Sequence, residues 1–243
     1  MIGNVKSDFF FSNIGVRQGE NLSPFLFALY VNDLEDYLLN NNCKSLSFNA
    51  PEINVYLKLL ILLYADDTVI LADSGNNLQI ALNKLAEYCE TWKLSVNNEK
   101  TKICIFSKRK VRSSLFNFSY DGKNIDIVDS FKYLGIMLKF NGKFKICIDR
   151  LYQQGKKAMF SVLKKCRKFD LPIDLQLELF DRMVVPILLY GCEVWGYEKL
   201  DMIENLHLQF CKYILYVKKS TPSLMIYGEL GRYPMFIFKF MLE

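Results

Sequence analysis

Two adjacent aspartates, Asp66 and Asp67, stand between the apolar run 57–63 and a second apolar run, 68–72. Neighbouring carboxylates repel one another, and the repulsion raises a pKa unless a cation lies between them. Mg²⁺ is the natural cation: it is hard, prefers oxygen ligands, and is commonly held by one or two carboxylates together with substrate phosphates. An ordinary Asp-Asp turn would also fit, and residues 64–67 alone do not separate the two readings. Little else competes for chemistry. The single histidine, His207, removes His-rich zinc sites and leaves one candidate for a histidine general base. Cysteines 43, 89, 104, 147, 166, 192 and 211 are odd in number and widely spaced, so they suggest neither a disulfide framework nor a CxxC zinc site. They read as small buried apolar side chains.

The elements that must position the acidic pair follow from the surrounding pattern. Runs 57–63 and 68–72 are too short to favour helices and predict a β-hairpin with the acids at its tip. Upstream, Ser23 as N-cap and Pro24 at the first helical position predict a buried helix over 25–38, apolar on nearly all sides. Downstream, Leu78, Ala81, Leu82, Leu85, Cys89 and Trp92 recur at helical steps, and a strand is expected over 102–107. Asp121-Gly122 marks a tight hairpin turn between 116–120 and 125–128. Another strand is read over 131–140, with Asn141-Gly142 as its turn. Beyond it the pattern is helical, with Pro172 and Asp174 starting one helix and Leu200, Ile203, Leu206, Phe210 and Ile214 marking another.

At 243 residues, 51% hydrophobic and 23% charged, the chain is long and apolar enough for a packed core, which excludes disorder and fibrous repeats. No apolar stretch approaches the ~20 residues of a membrane span, and no secretory signal is visible, so an intracellular protein is the default expectation. The net charge of +5 is unevenly spread. Residues 139–168 hold ten basic side chains against Asp149, a net +9 that leaves −4 for the rest. Such a block suits a phosphate backbone, although a solvated helix face would show the same charge.

Four segments change the weight of the acidic pair. Gly15-Val16-Arg17-Gln18-Gly19-Glu20-Asn21-Leu22-Ser23-Pro24, then Tyr64-Ala65-Asp66-Asp67, then residues 94–102 (LSVNNEKTK), then Phe131-Lys132-Tyr133-Leu134-Gly135-Ile136 resemble, in order and spacing, the palm motifs of reverse transcriptases. The match is closest to polymerases of non-LTR (LINE-like, jockey/CR1-like) retrotransposons. It continues through Tyr190-Gly191-Cys192-Glu193-Val194-Trp195-Gly196 to Gly228-Glu229-Leu230-Gly231. The resemblance implies an α+β fold: a partial right-hand palm over 1–140, an antiparallel sheet with packed helices, followed by a basic, mostly helical thumb and connection region over 141–243. It implies an RNA-directed DNA polymerase acting on an RNA template, a DNA primer and dNTPs, with no membrane partner.

Carried over residue by residue, the resemblance makes Asp66, and more weakly Asp67, Mg²⁺ ligands in a two-metal nucleotidyl transfer. Tyr64 and Ala65 let the primer end approach. Gln18 and Gly19 contact template and incoming nucleotide, while Arg17 either reaches phosphate or is a surface arginine on the same turn. Lys100 resembles the lysine proposed as general acid for the leaving pyrophosphate, with Lys102 competing for that role. Phe131, Tyr133, Leu134 and Gly135 form a primer-grip hairpin. Lys143, Lys145, Arg150, Lys156, Lys157, Lys164 and Lys165 track the nucleic-acid backbone. Tyr190, Trp195 and Phe210 are expected in the thumb core, and His207 is expected to be structural. The family also requires an aspartate upstream of the Gly15 motif and a basic fingers segment. Neither is found in this sequence, so the chain alone is expected to polymerise poorly. The alternative is a catalytically dead, retroelement-derived fragment that at most binds nucleic acid.

Overall fold

A computed structural model describes residues 15, 20–50, 55–110, 116–197 and 200–240. They divide between two compact units. The first runs to Ile103 and takes in the segment ending at Asp126; the second comprises 104–110 and everything from Ile127.

In the first unit, helices α1 (Ser23–Tyr30) and α2 (Leu34–Asn40) replace the single buried helix expected over 25–38. Leu22 already has helical backbone angles, so Ser23 lies inside the first turn and is not the N-cap. Asp33 precedes α2 and its carboxylate accepts a 2.5 Å hydrogen bond from the Tyr88 hydroxyl, which anchors the new helix where the old one stops. Only α2 buries a stripe, Leu34 and Leu38; in α1, Phe25, Leu26 and Leu29 are exposed. Strands β1 (Leu46–Ala50) and β2 (Val55–Leu59) pair antiparallel, as do β3 (Ile61–Tyr64) and β4 (Asp67–Ile70). The run 57–63, expected as one strand, is therefore shared between two hairpins and divides at the buried Leu60.

Helix α3 (Gly75–Thr91) follows the predicted periodicity. The Ser74 hydroxyl accepts the Asn77 N–H at its start, and Ala81, Leu82, Leu85, Tyr88 and Cys89 form its buried face. Residues 102–107 do not form the expected strand; Ile103 alone makes a bridge, donating its N–H to the Asp126 carbonyl. The short hairpin β5 (Ser119–Tyr120) and β6 (Lys123–Asn124) turns at Asp121-Gly122, both left-handed, as the dipeptide predicts. The Gln79 side chain docks it on α3 by donating to the Ser119 carbonyl and accepting the Ser119 N–H.

The second unit opens with the hairpin of β7 (Ser130–Tyr133) and β8 (Ile136–Lys139), so the stretch expected as one strand over 131–140 reverses at Leu134-Gly135. Helices α4 (Lys145–Phe169), α5 (Ile173–Met183), α6 (Val185–Leu188), α7 (Cys192–Trp195), α8 (Asp201–Ile214), α9 (Ser223–Leu230) and α10 (Met235–Phe240) complete it. Its core includes Met159 and Val162 of α4, Phe180, Leu188, Trp195 and Phe210. Gly155 lets α4 approach α6: a Cβ there would lie 2.3 Å from Leu188 Cδ2.

His207 is fully buried between the rings of Phe180 and Tyr227, at centroid separations of 5.6 and 5.7 Å. Burial, reinforced by the Arg232 guanidinium and opposed by Asp181, lowers its pKa from 6.5 to about 4. The unfolded chain then binds a proton that the folded one refuses, so stability is full above pH 6.5 and falls as the pH drops towards 4. This unit should lose about 3 kcal/mol over that interval through this residue alone. Urea unfolding midpoints at pH 7 and 4 measure the loss, and a His207→Phe variant should lack this part of it.

Candidate functional site

The aspartates sit where the hairpin pattern puts them. Tyr64 pairs with Asp67, leaving Ala65-Asp66 as a two-residue connection at the tip of β3–β4. Ala65 has φ 50°, a left-handed conformation uncommon outside glycine. Tyr64 and Asp67 face each other directly across the ladder and project from the same face. Both carboxylates are exposed, and Tyr64 is 62% exposed. Such oxygens are the donors Mg²⁺ takes, and two carboxylates suit an ion that completes its shell with water and phosphate. Among the described residues no group of three or more His, Cys, Asp or Glu side chains gathers in one place to make a closed cage. The pair could supply only part of a metal ion's shell.

Lys100 lies after α3 in the same unit, on a turn where its backbone N–H donates to Asn97 Oδ1 at 3.1 Å. Its side chain makes no ion pair among the described residues. Lys102 does: its ammonium meets Asp126 Oδ2 at 2.6 Å, an engagement that competes with any chemical role. Arg17, Gln18 and Gly19 lie outside the described residues.

The remaining predicted residues belong to the second unit. At the β7–β8 turn, Leu134 and Gly135 have φ of 45° and 86°, the paired positive values that match the twist of a two-residue hairpin. Phe131 and Tyr133 are half-buried and Leu134 is exposed. Helix α4 buries Cys147, Leu151, Met159, Val162 and Cys166, so its opposite face carries the charge. Arg150, Lys157 and Lys164 recur at seven-residue steps and line one ridge. Lys157 and Lys164 are exposed, as are Lys145, Lys165 and Lys143 just before the helix, whereas Arg150 and Lys156 are half-buried, the latter with its ammonium 5.8 Å from the Tyr152 ring centroid. Trp195 and Phe210 are fully buried, as expected of core side chains. Tyr190 is not in the core: it is 49% exposed, and its hydroxyl donates to the Leu134 carbonyl at 2.8 Å. Helical spacing grouped it with the apolar residues, and only the hydroxyl hinted at a different role.

A family model for reverse transcriptase (RNA-dependent DNA polymerase) matches residues 1–138, ending within β8. The chain belongs to this family. Among curated proteins, it is 28% identical over 226 residues to the probable RNA-directed DNA polymerase from transposon BS of Drosophila melanogaster, covering 85% of this chain and 23% of that protein. It is 28% identical over 191 residues to the RNA-directed DNA polymerase from mobile element jockey of the same species, covering 75% and 19%. It is 26% identical over 224 residues to a Pol polyprotein from the type-1 retrotransposable element R2 of Popillia japonica, covering 89% and 35%. The chain thus spans between a fifth and about a third of these relatives. The likeness to non-LTR retrotransposon reverse transcriptases, legible in the motifs, is borne out. No solved structure matches the chain. Reverse transcriptases generally use Mg²⁺, and among the described residues no helix is long and apolar enough to cross a membrane.

Proposed function

We propose that the chain is the part of a non-LTR retrotransposon RNA-directed DNA polymerase that carries the later palm motifs, over 1–140, and the thumb, over 141–243. The observation that carries this reading is the placing of Asp66 and Asp67 at the exposed tip of β3–β4, within the stretch matched by the reverse transcriptase family.

In this reading Asp66, with Asp67 in a lesser part, offers carboxylate oxygens to Mg²⁺. When bound, the metal pair supplies charge neutralisation for the triphosphate and a more acidic primer hydroxyl. The chain's own groups do the rest. Ala65 presents a small side chain at the turn, so the primer end approaches closely, and Tyr64 flanks it. Lys100, free of the ion pair that holds Lys102, donates a proton to the leaving pyrophosphate. The turn of β7–β8 supports the primer strand, and the α4 ridge neutralises backbone phosphates, so affinity for template-primer falls as salt rises. Arg17, Gln18 and Gly19 contact template and nucleotide.

A second reading, a nucleic-acid-binding remnant without catalysis, is favoured by the absence of a third clustered carboxylate among the described residues. Primer extension on poly(rA)/oligo(dT) with Mg²⁺ separates the two, comparing this chain with one lengthened upstream. Extension by the lengthened chain, with little or none from the 243 residues alone, is the expected result. Salt-dependent binding by both forms with extension by neither would establish the remnant.

A further inference from the structure

The β7–β8 turn does not hold its shape by its own residues alone. Leu134 is left-handed although it carries a branched side chain, so something outside the turn must stabilise it. Tyr190, 56 residues further along the chain, meets the turn twice. Its hydroxyl donates to the Leu134 carbonyl at 2.8 Å, and its ring lies against Gly135 so closely that a Cβ there would be 2.8 Å from Cε1. Tyr190 is itself fixed from behind. The Trp195 indole N–H donates to the Tyr190 carbonyl at 2.9 Å. Gly191, left-handed at φ 65°, brings this segment onto β8, where a Cβ would stand 2.4 Å from Ile136 Cδ1. Ile136 and Trp195 both belong to the buried core of the unit. A continuous path thus runs from the core through Trp195 and Tyr190 to the exposed turn.

We infer that Tyr190 is a positioning residue: it braces the Leu134-Gly135 turn so that the turn presents a fixed surface to the primer terminus. This rests on the reading of β7–β8 as the primer-supporting hairpin. The chemistry recognised is the sugar and base of the last primer nucleotide, and Tyr190 acts on it through the turn. An exposed tyrosine whose ring and hydroxyl are both engaged with one turn is suited to this task, because the ring sets the approach and the hydroxyl sets the register.

The test uses the 243-residue chain and an oligo(dT) primer annealed to poly(rA), with fluorescein at the primer 5′ end and 4-thiothymidine at its 3′ end. Fluorescence anisotropy reads overall affinity, which the α4 cations dominate. Irradiation followed by peptide mapping reads where the primer terminus lies. The wild-type chain should cross-link within residues 131–135. Tyr190→Phe keeps the ring and loses the bond to Leu134, so cross-linking there should fall about fivefold, the scale of one hydrogen bond, at unchanged affinity and unchanged unfolding midpoint. Gly135→Ala puts a Cβ against the ring at a left-handed position, so it should lower cross-linking and the unfolding midpoint together, which leaves Tyr190→Phe as the discriminating variant. A merely structural tyrosine would lower affinity and cross-linking together. Wild-type cross-linking in Tyr190→Phe would overturn the bracing role and leave the hairpin reading intact. Binding without cross-links at 131–135 in the wild-type chain would sink the hairpin reading, and the bracing role with it.

Discussion

Asp66→Asn should lower primer extension by about 10³-fold or more, in whichever form of the chain supports it, while affinity for template-primer stays unchanged. Asparagine has nearly the shape of aspartate and suits the same turn position, so the Ala65-Asp66 connection and the register of β3–β4 should survive. What disappears is one negative charge at a site read as a partial donor set for a divalent cation. An interaction worth several kcal/mol in the transition state corresponds to three or more decades of rate. Binding should persist because the cations credited with it lie on α4. Asp67→Asn should cost less, since Asp67 sits in the ladder opposite Tyr64 rather than in the turn. Steady-state extension rates and filter binding, taken at one salt concentration, decide the matter: undiminished extension by Asp66→Asn would rule out a role for its carboxylate.

The largest effect on stability should come from Trp195→Ala. Trp195 is fully buried in the same core cluster as Leu188 and Ile136 in the second unit, and its indole N–H holds the Tyr190 carbonyl. Removing the ring leaves a cavity and an acceptor without its donor, a combined cost of about 3–5 kcal/mol. Trp195→Phe fills much of the space and should cost less, about 1–3 kcal/mol, mainly through the lost donor. Urea midpoints followed by far-UV circular dichroism, to which the long helices of this unit contribute strongly, measure both losses. A change below about 1 kcal/mol would contradict the core position assigned to Trp195.

Much of this arrangement was legible in the residues themselves, and the failures share a physical origin. Helix α3 and the long helices of the second unit announce themselves because one face is apolar and the other polar, so the 3.6-residue period survives. Asp121-Gly122 announces its turn because the paired left-handed conformation favours those residue types. The helix expected over 25–38 carries no such signal. Its first half, 25–31, is apolar all round, so the exposure of α1 could not be read, and the Tyr88 hydroxyl that anchors Asp33 at the break before α2 lies 55 residues away. Residues 103–106 have strand-forming side chains, yet a strand also needs a partner, and local propensity does not supply one. At the candidate site, Asp66-Asp67 was visible as costly charge between apolar runs. Nothing local separates Lys100 from Lys102, and the ion pair that distinguishes their surroundings, Lys102 with Asp126, is a contact 24 residues along the chain. Tyr190 was misplaced because its decisive contact spans 56 residues and falls on a backbone carbonyl, which has no sequence signature.

The β3–β4 hairpin is unevenly anchored along its length. Leu60 and Ile61 at its base are buried, whereas Leu62, Leu63 and Tyr64 towards the tip are exposed. Its geometry is that of a lever held in the core at one end, with the two carboxylates at the other. Any small rotation at Ile61 would become a larger displacement at Asp66, so the position of the tip depends on whatever steadies the arm. A strand or ligand laid along the exposed side chains would add support at the tip, where the core supplies none.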